Sequence, residues 1–274
     1  MVFSEQKLSR NDPLNRGSFQ NPSPRVGLAL GGGVARGLAH IGVLEVLIRE
    51  NIPIHYVAGT SAGAIIGAAY CAGIGIEKLK ELGLGMKWQK LVSPTLPLSG
   101  ALKFDRMEKW LISQAGDLRF EDLKIPLAVE AIDIENDCLV TLNKGRLAPA
   151  IHASSTVPGF AAPVRIDGRL LADGTLLNSV PVSTARAMGA DYVIGVDILT
   201  PKLRRSLGVI GYGLNALEMM ARHAGRGVDE ADCIISPALA GKSYLRFSKG
   251  QELIELGQKA AEAKIPAIKA DINL

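Results

Sequence analysis

The residues of this chain best suited to chemistry begin with Gly59-Thr60-Ser61-Ala62-Gly63, which fits the pattern G-x-S-x-G. The pattern lies between an apolar segment of strand character and a small-residue segment of helix character. A serine on such a sharp turn has its hydroxyl lifted clear of the sheet, and small neighbours let the backbones crowd together. The following helix aims its N-terminal dipole at the site and favours developing negative charge there. The plain alternative is a tight turn around a buried serine, which a glycine-rich chain produces readily. Placement directly after an apolar strand favours the nucleophile.

A second cluster, Leu30-Gly31-Gly32-Gly33-Val34-Ala35-Arg36-Gly37, also follows a strand and opens a helix. Dinucleotide folds use such a loop to approach a pyrophosphate, with glycines spaced G-x-G-x-x-G. Acyl hydrolases use exposed backbone N–H groups to hold the oxyanion of a tetrahedral intermediate. Counting from Gly31 and Gly33, the third glycine of the nucleotide pattern falls on Arg36. The acid that should bind a ribose about 20 residues further on is replaced by Val57-Ala58-Gly59-Thr60. Gly31, Gly32 and Gly33 are therefore expected to form an oxyanion hole. Arg36 has three open roles: a structural one, bracing the loop, or meeting a lipid phosphate.

A serine nucleophile needs a base. The four histidines are His40, His55, His152 and His223. None sits at a strand end downstream of a suitable acid, and each reads as a packing or surface residue. Asp173 ends the apolar run Leu170-Leu171-Ala172 and is followed at once by Gly174-Thr175. A carboxylate there could reach a serine hydroxyl directly, although Asp-Gly pairs are also common in plain turns. Asp167-Gly168 serves as the contrast: it fits a hairpin tip and is assigned no chemistry.

These residues need a scaffold, and the hydrophobic pattern supplies one. Arg25–Leu30, Ile52–Ala58, Pro126–Ile134, Cys138–Leu142, Tyr192–Ile198 and Cys233–Ser236 have strand character. Helical spacing marks residues 37–50, 62–71 and 104–111, and the run Leu207–Ala224. Glu135-Asn136-Asp137 and Asp167-Gly168 read as hairpin turns, the second within Val164–Leu171. Ser93–Gly100, with two prolines, reads as a loop. Strands alternating with helices imply a mainly parallel sheet covered on both faces.

At 274 residues, a single well-buried domain is the economical reading, with residues 1–24 as a flexible polar leader and 25–274 as the domain. A net charge of +4 and 5% aromatic residues, without interleaved basic runs, argue against nucleic acid as a partner. Cys71, Cys138 and Cys233 are odd in number and widely spaced, which suits a reducing compartment and no metal site. Tyr56–Ile76 carries no charge and is long enough to span a bilayer, but its central Gly-Thr-Ser turn favours a buried strand and helix.

Together the glycine loop with Arg36, the Ser61 motif and Asp173-Gly174 resemble the patatin-like phospholipase family, closest to its single-domain bacterial members. Ala153–Phe160 is similar to a further small-residue block of that family, and the likeness runs from about Val26 to Asp197. Thr175 departs from the family, which has a small residue there; its side chain would narrow the site or add a hydroxyl. The resemblance implies an α/β fold in three α/β/α layers with a mostly parallel central sheet, related to the α/β-hydrolase plan. It implies cleavage of lipid esters by a Ser61–Asp173 dyad, with Gly31, Gly32, Gly33 and Arg36 at the oxyanion hole. No metal or cofactor is expected. The expected partner is a lipid substrate, phospholipid or lysophospholipid, presented at a membrane surface by a cytoplasmic or inner-face protein. A regulatory or lipid-binding protein on the same fold is the alternative reading. The segment Leu207–Ala224 is apolar enough for a membrane-facing rim or a subunit interface, and oligomeric state is open.

Overall fold

Strand β1 (Val26–Leu30) shows how the chain builds its layers. Val26, Leu28 and Leu30 enter a core of large side chains, whereas Ala29 faces a second core of small ones. This period-two alternation recurs on β2 (Tyr56–Thr60), where Val57 joins the first core and Ala58 the second. On β9 (Tyr192–Val196), Ile194 and Val193 divide in the same way. A strand buried on both faces must be apolar throughout, which is why these runs read as continuous hydrophobic segments. The computed structural model describes residues 23–94, 102–199, 212, 216 and 218–274. The expected leader therefore lies almost entirely outside the described residues, as does half of the expected Leu207–Ala224 helix, of which residues 212, 216 and 218–222 are helical.

The remaining strands are β3 (Ser93–Pro94), β4 (Leu102–Lys103), β5 (Leu127–Asp133), β6 (Cys138–Leu142), β7 (Val164–Ile166), β8 (Arg169–Asp173) and β10 (Cys233–Ile235). In the main sheet the order is β10-β9-β1-β2-β5-β8-β7, with β6 also on β5. Strands β10, β9, β1, β2 and β5 run parallel; β6 and β8 are antiparallel to β5. The fold is the expected mixed, mostly parallel sheet between helices. The hairpin expected at Asp167-Gly168 joins β7 to β8, with both residues at positive φ (48° and 81°). The loop expected over Ser93–Gly100 is corrected at its start, where Ser93 and Pro94 pair with Lys103 and Leu102 as a two-stranded ribbon.

Helix α1 (Leu38–Arg49) lacks a side-chain N-cap, yet nine of its 12 residues are buried. A helix of this length is marginal alone, so packing holds it. The chain enters it through a 3₁₀ turn, Val34–Gly37, and the helix starts one residue later than its pattern suggests. Helix α2 (Ala62–Cys71) follows β2 without a connecting loop. The charge-free stretch Tyr56–Ile76 thus contains a strand and a ten-residue helix. No helix among the described residues is long and apolar enough to cross a membrane. Helices α3 (Ile76–Leu84), α4 (Trp88–Leu91), α5 (Asp105–Ala115) and α6 (Leu147–Ser154) cover the large-residue core near the site. Helix α7 (Val182–Ala187) packs on the small-residue face, followed by the short α8 (Gly227–Glu230). Helices α9 (Gly250–Glu262) and α10 (Ile265–Asp271) complete the large core through Leu253, Ile254, Ala261 and Ile268.

Candidate active site

One edge of β5 brings together Ser61 and Asp173, the residues expected to be nucleophile and base. Residues Val129 and Glu130 pair with β2 and also with β6, so β2 and β6 occupy opposite edges. Residues Ala131 to Asp133 pair with β6 and with β8, which places β8 on the edge that β2 has just left. Thr60 lies opposite Glu130, and Asp173 lies opposite the next residue, Ala131. The C-terminal ends of β2 and β8 therefore meet, one delivering Ser61 and the other Asp173.

Ser61 adopts φ 53° and ψ −119°, a conformation that costs a non-glycine residue on the order of 1–3 kcal/mol. Its N–H donates to Ser154 Oγ at 2.8 Å, and that hydroxyl donates to the Glu130 carbonyl at 2.6 Å. These bonds hold the turn against its strain. The flanking glycines are required by close approach: a Cβ on Gly63 would lie 2.0 Å from the Leu30 carbonyl oxygen, and one on Gly59 2.7 Å from that of Gly63. Ser154 lies in the block Ala153–Phe160, whose likeness to the family assigned it no role.

Asp173 is 3% exposed. Its Oδ1 accepts the Thr175 hydroxyl at 2.6 Å and the Thr175 amide at 2.9 Å. Burial pushes its pKa above the ordinary carboxylate range, opposed by hydrogen bonds from Thr175 and from Ser61. A raised pKa makes the carboxylate a stronger base than a solvated aspartate. Of the two effects expected of Thr175, the structure shows the added hydroxyl. That side chain also presses on the glycine loop, because a Cβ on Gly32 would lie 2.0 Å from Thr175 Oγ1.

The glycine loop needs correction. The Gly31 amide donates to the Val196 carbonyl at 3.1 Å and the Gly32 amide to the Ser179 carbonyl at 3.2 Å. Both anchor the loop to the sheet and its neighbour, so neither points at an oxyanion. Gly33 and Val34 instead line the cavity beside Ser61, with Val34 held at φ 51°. A β-branched residue at positive φ is a genuine outlier, and nothing in the sequence around Val34 signals it. Arg36 is likewise not an oxyanion donor. It is fully buried, donates Nε and Nη2 to the Lys242 carbonyl at 3.2 and 2.7 Å, and lies 3.6 Å from the Tyr244 ring centroid. Of its three open roles it takes the second, bracing the loop against residues 242–244.

None of the histidines lines the cavity. His40 is buried, with Nε2 at 2.8 Å from the Gly31 carbonyl, and desolvation lowers its pKa to about 4. A neutral ring beside a carbonyl must donate from Nε2, so His40 secures the loop. His55 Nδ1 accepts the Val26 amide, and His152 Nδ1 contacts Glu108. Glu130, which no motif singled out, is fully buried behind Ser61 and Asp173. It accepts from Thr184, Asn178 and Thr60, and desolvation pushes its pKa up to about 7 against those bonds. Its signal was present: Glu130 is the one acid within the apolar residues from Leu127 to Ile132, before Asp133 ends the strand.

Ser61, Asp173, Thr175, Gly33 and Val34 form the polar end of a cavity of about 560 Å³. Its remaining wall is overwhelmingly apolar and includes Ile65, Leu79, Met86, Trp110, Leu118 and Phe247. The volume falls in the range of sites that enclose small organic ligands. No cluster of His, Cys, Asp or Glu suited to a metal ion occurs among the described residues.

A strained serine at a strand-to-helix turn, a buried carboxylate beside it and an apolar cavity define the architecture of an α/β acyl hydrolase. The family model for patatin-like phospholipase matches residues 28–186. The chain belongs to the patatin-like phospholipase family. It is 36% identical over 185 residues to an uncharacterised NTE family protein of Mycobacterium tuberculosis, covering 64% of this chain and 49% of that protein. It is 32% identical over 207 residues to human patatin-like phospholipase domain-containing protein 6, covering 72% of this chain and 15% of that protein. The chain thus spans half or less of the length of these relatives. Among solved structures, VipD from Legionella pneumophila superposes with a TM-score of 0.65 at 14% identity, over 91% of this chain and 67% of VipD. At that identity the likeness concerns the fold alone.

Proposed function

We propose that this protein is a serine acyl hydrolase that cleaves a carboxylic ester of a phospholipid or lysophospholipid through Ser61 and Asp173. The observation that carries the reading is the meeting of the Ser61 hydroxyl and the buried Asp173 carboxylate at the polar end of an apolar cavity. The acyl chain occupies the cavity, and the ester carbonyl lies over Ser61. Asp173 takes the Ser61 proton as Oγ attacks the carbonyl carbon. The amides of Gly33 and Val34, with that of Ala62 at the start of α2, receive the oxyanion. Collapse of the tetrahedral intermediate expels the alcohol, which leaves with the proton from Asp173. Water then attacks the acyl-enzyme, Asp173 accepts its proton, and the fatty acid departs as Ser61 recovers a proton. Neither metal nor cofactor enters these steps. A lipid substrate of this kind is presented at a membrane surface, and three unpaired cysteines suit its cytoplasmic side.

The relatives support this reading by name: one at 29% identity is a lysophospholipase of Yarrowia lipolytica, matched over 14% of its length. The test is intact-mass analysis after fluorophosphonate treatment. The expected result is one adduct on the wild type and none on Ser61→Ala or Asp173→Asn, together with loss of ester turnover in both. A folded wild type that takes no adduct would overturn the hydrolase reading and favour a lipid-binding protein.

A further inference from the structure

The cavity wall reaches the surface at a place whose composition differs from the rest of the protein. Leu245 lines the cavity and is nevertheless 55% exposed, so it stands at the rim. Trp88 on α4 donates its indole N–H to the Leu245 carbonyl at 2.8 Å, and its ring lies 5.2 Å from that of Phe247. These contacts join residues 84–90 to residues 245–249 as one surface. Leu84, 46% exposed, belongs to it through its packing beside Gly250.

The same surface is basic. Lys87, Lys90, Arg246 and Lys249 are exposed on it. No Asp or Glu occurs from Leu82 to Leu91 or from Gly241 to Gln251. The flanking acids are already engaged, Glu81 with Lys78 at 2.8 Å and Glu252 with Lys242. The chain as a whole is only mildly basic at +4, so four exposed cations around the rim are a local feature, with Glu252 acting on Lys249 and the Gly85 carbonyl accepting from Lys90.

We infer that the rim formed by Leu84, Lys87, Lys90, Leu245, Arg246 and Lys249 docks on an anionic lipid bilayer. The inference rests on the proposed lipid hydrolase, because it places the cavity mouth against the phase that holds the substrate. The two leucines enter the interface while the cations meet the headgroup charge. A lipid then passes from the bilayer to Ser61 along Leu245, Phe247 and Met86 without its acyl chain crossing water. A protein partner is the less favoured occupant, since the cations surround the mouth of a lipid-sized apolar cavity.

The experiment is co-sedimentation with vesicles of phosphatidylcholine alone and of phosphatidylcholine mixed with phosphatidylglycerol. It compares the wild type, Ser61→Ala, and a quadruple variant Lys87→Gln, Lys90→Gln, Arg246→Gln, Lys249→Gln. Turnover of a water-soluble short-chain ester serves as the control for folding. The wild type is expected to prefer the anionic vesicles and to release them as salt rises. The quadruple variant is expected to bind them on the order of 1,000-fold less tightly, while its turnover of the soluble ester is kept. Ser61→Ala should bind like the wild type. Equal binding to both vesicle types, absence of binding, or unchanged binding by the quadruple variant would overturn the docking surface. Anionic-vesicle binding by a wild type that turns over no ester would instead leave the docking surface standing and remove the proposed function.

Discussion

Thr175→Val removes the hydroxyl that Asp173 accepts at 2.6 Å while keeping the volume packed against Gly32. A hydrogen bond to a charged group is worth about 1.5–3 kcal/mol. Its loss raises the Asp173 pKa further, because the ionised carboxylate gives up that stabilisation and the neutral form gives up less. The direction follows from the environment: burial already pushes this carboxyl up, and the Thr175 hydroxyl is the foremost influence holding it down. A base must be ionised to act, so a higher pKa empties the active form at low pH. The assay is the pH dependence of kcat/KM on a soluble ester, whose acid limb reports the free enzyme's base. The limb should move to higher pH, leaving the variant roughly 10- to 100-fold slower on the limb, with the gap narrowing at higher pH. Thr175→Ser, which keeps the hydroxyl, should leave the limb near its original place. A Thr175→Val enzyme slowed equally at every pH would refute the electrostatic argument and make Thr175 a packing residue.

Two further outcomes are expected. Ser61→Gly should abolish turnover and raise the urea midpoint without changing the slope, because glycine relieves φ 53° and ψ −119° at a gain on the order of 1 kcal/mol. A lower midpoint would mean that the elbow is not strained. Glu130, its pKa raised from 4.5 to about 7 by burial, should make the protein less stable as pH rises. The folded state holds this proton more tightly, so the contribution is complete below the unfolded pKa and is lost as pH climbs through about 7. The total is on the order of 3 kcal/mol. Glu130→Gln, compared with the wild type by denaturant unfolding across that window, should flatten the decline, and an undiminished decline would place its origin elsewhere.

The local signals were legible because they answer to local physics. G-x-S-x-G is written in the sequence because a Cβ at Gly59 or Gly63 meets backbone atoms a few residues away or on the adjoining strand. The hairpin at Asp167-Gly168 follows from two positive φ angles that those residues tolerate. Strands such as β1 were readable because burial on both faces demands an unbroken apolar run. Asp173 stood out by ending one of these runs.

Tertiary structure decided what depends on partners far away in the chain. The amides of Gly31 and Gly32 are bonded to Val196 and Ser179, over 140 residues downstream, so a motif of three glycines could not say which N–H groups stay open. Arg36 looks the same in sequence whether it meets a phosphate or stacks on Tyr244, and only the packing of residues 242–244 chooses. The meeting of Ser61 and Asp173 depends on β2 and β8 sharing one edge of β5, which is a matter of register. Hydrophobic periodicity fixes which face of a strand is buried, but the choice of neighbour along an edge is made by the packing of the whole sheet.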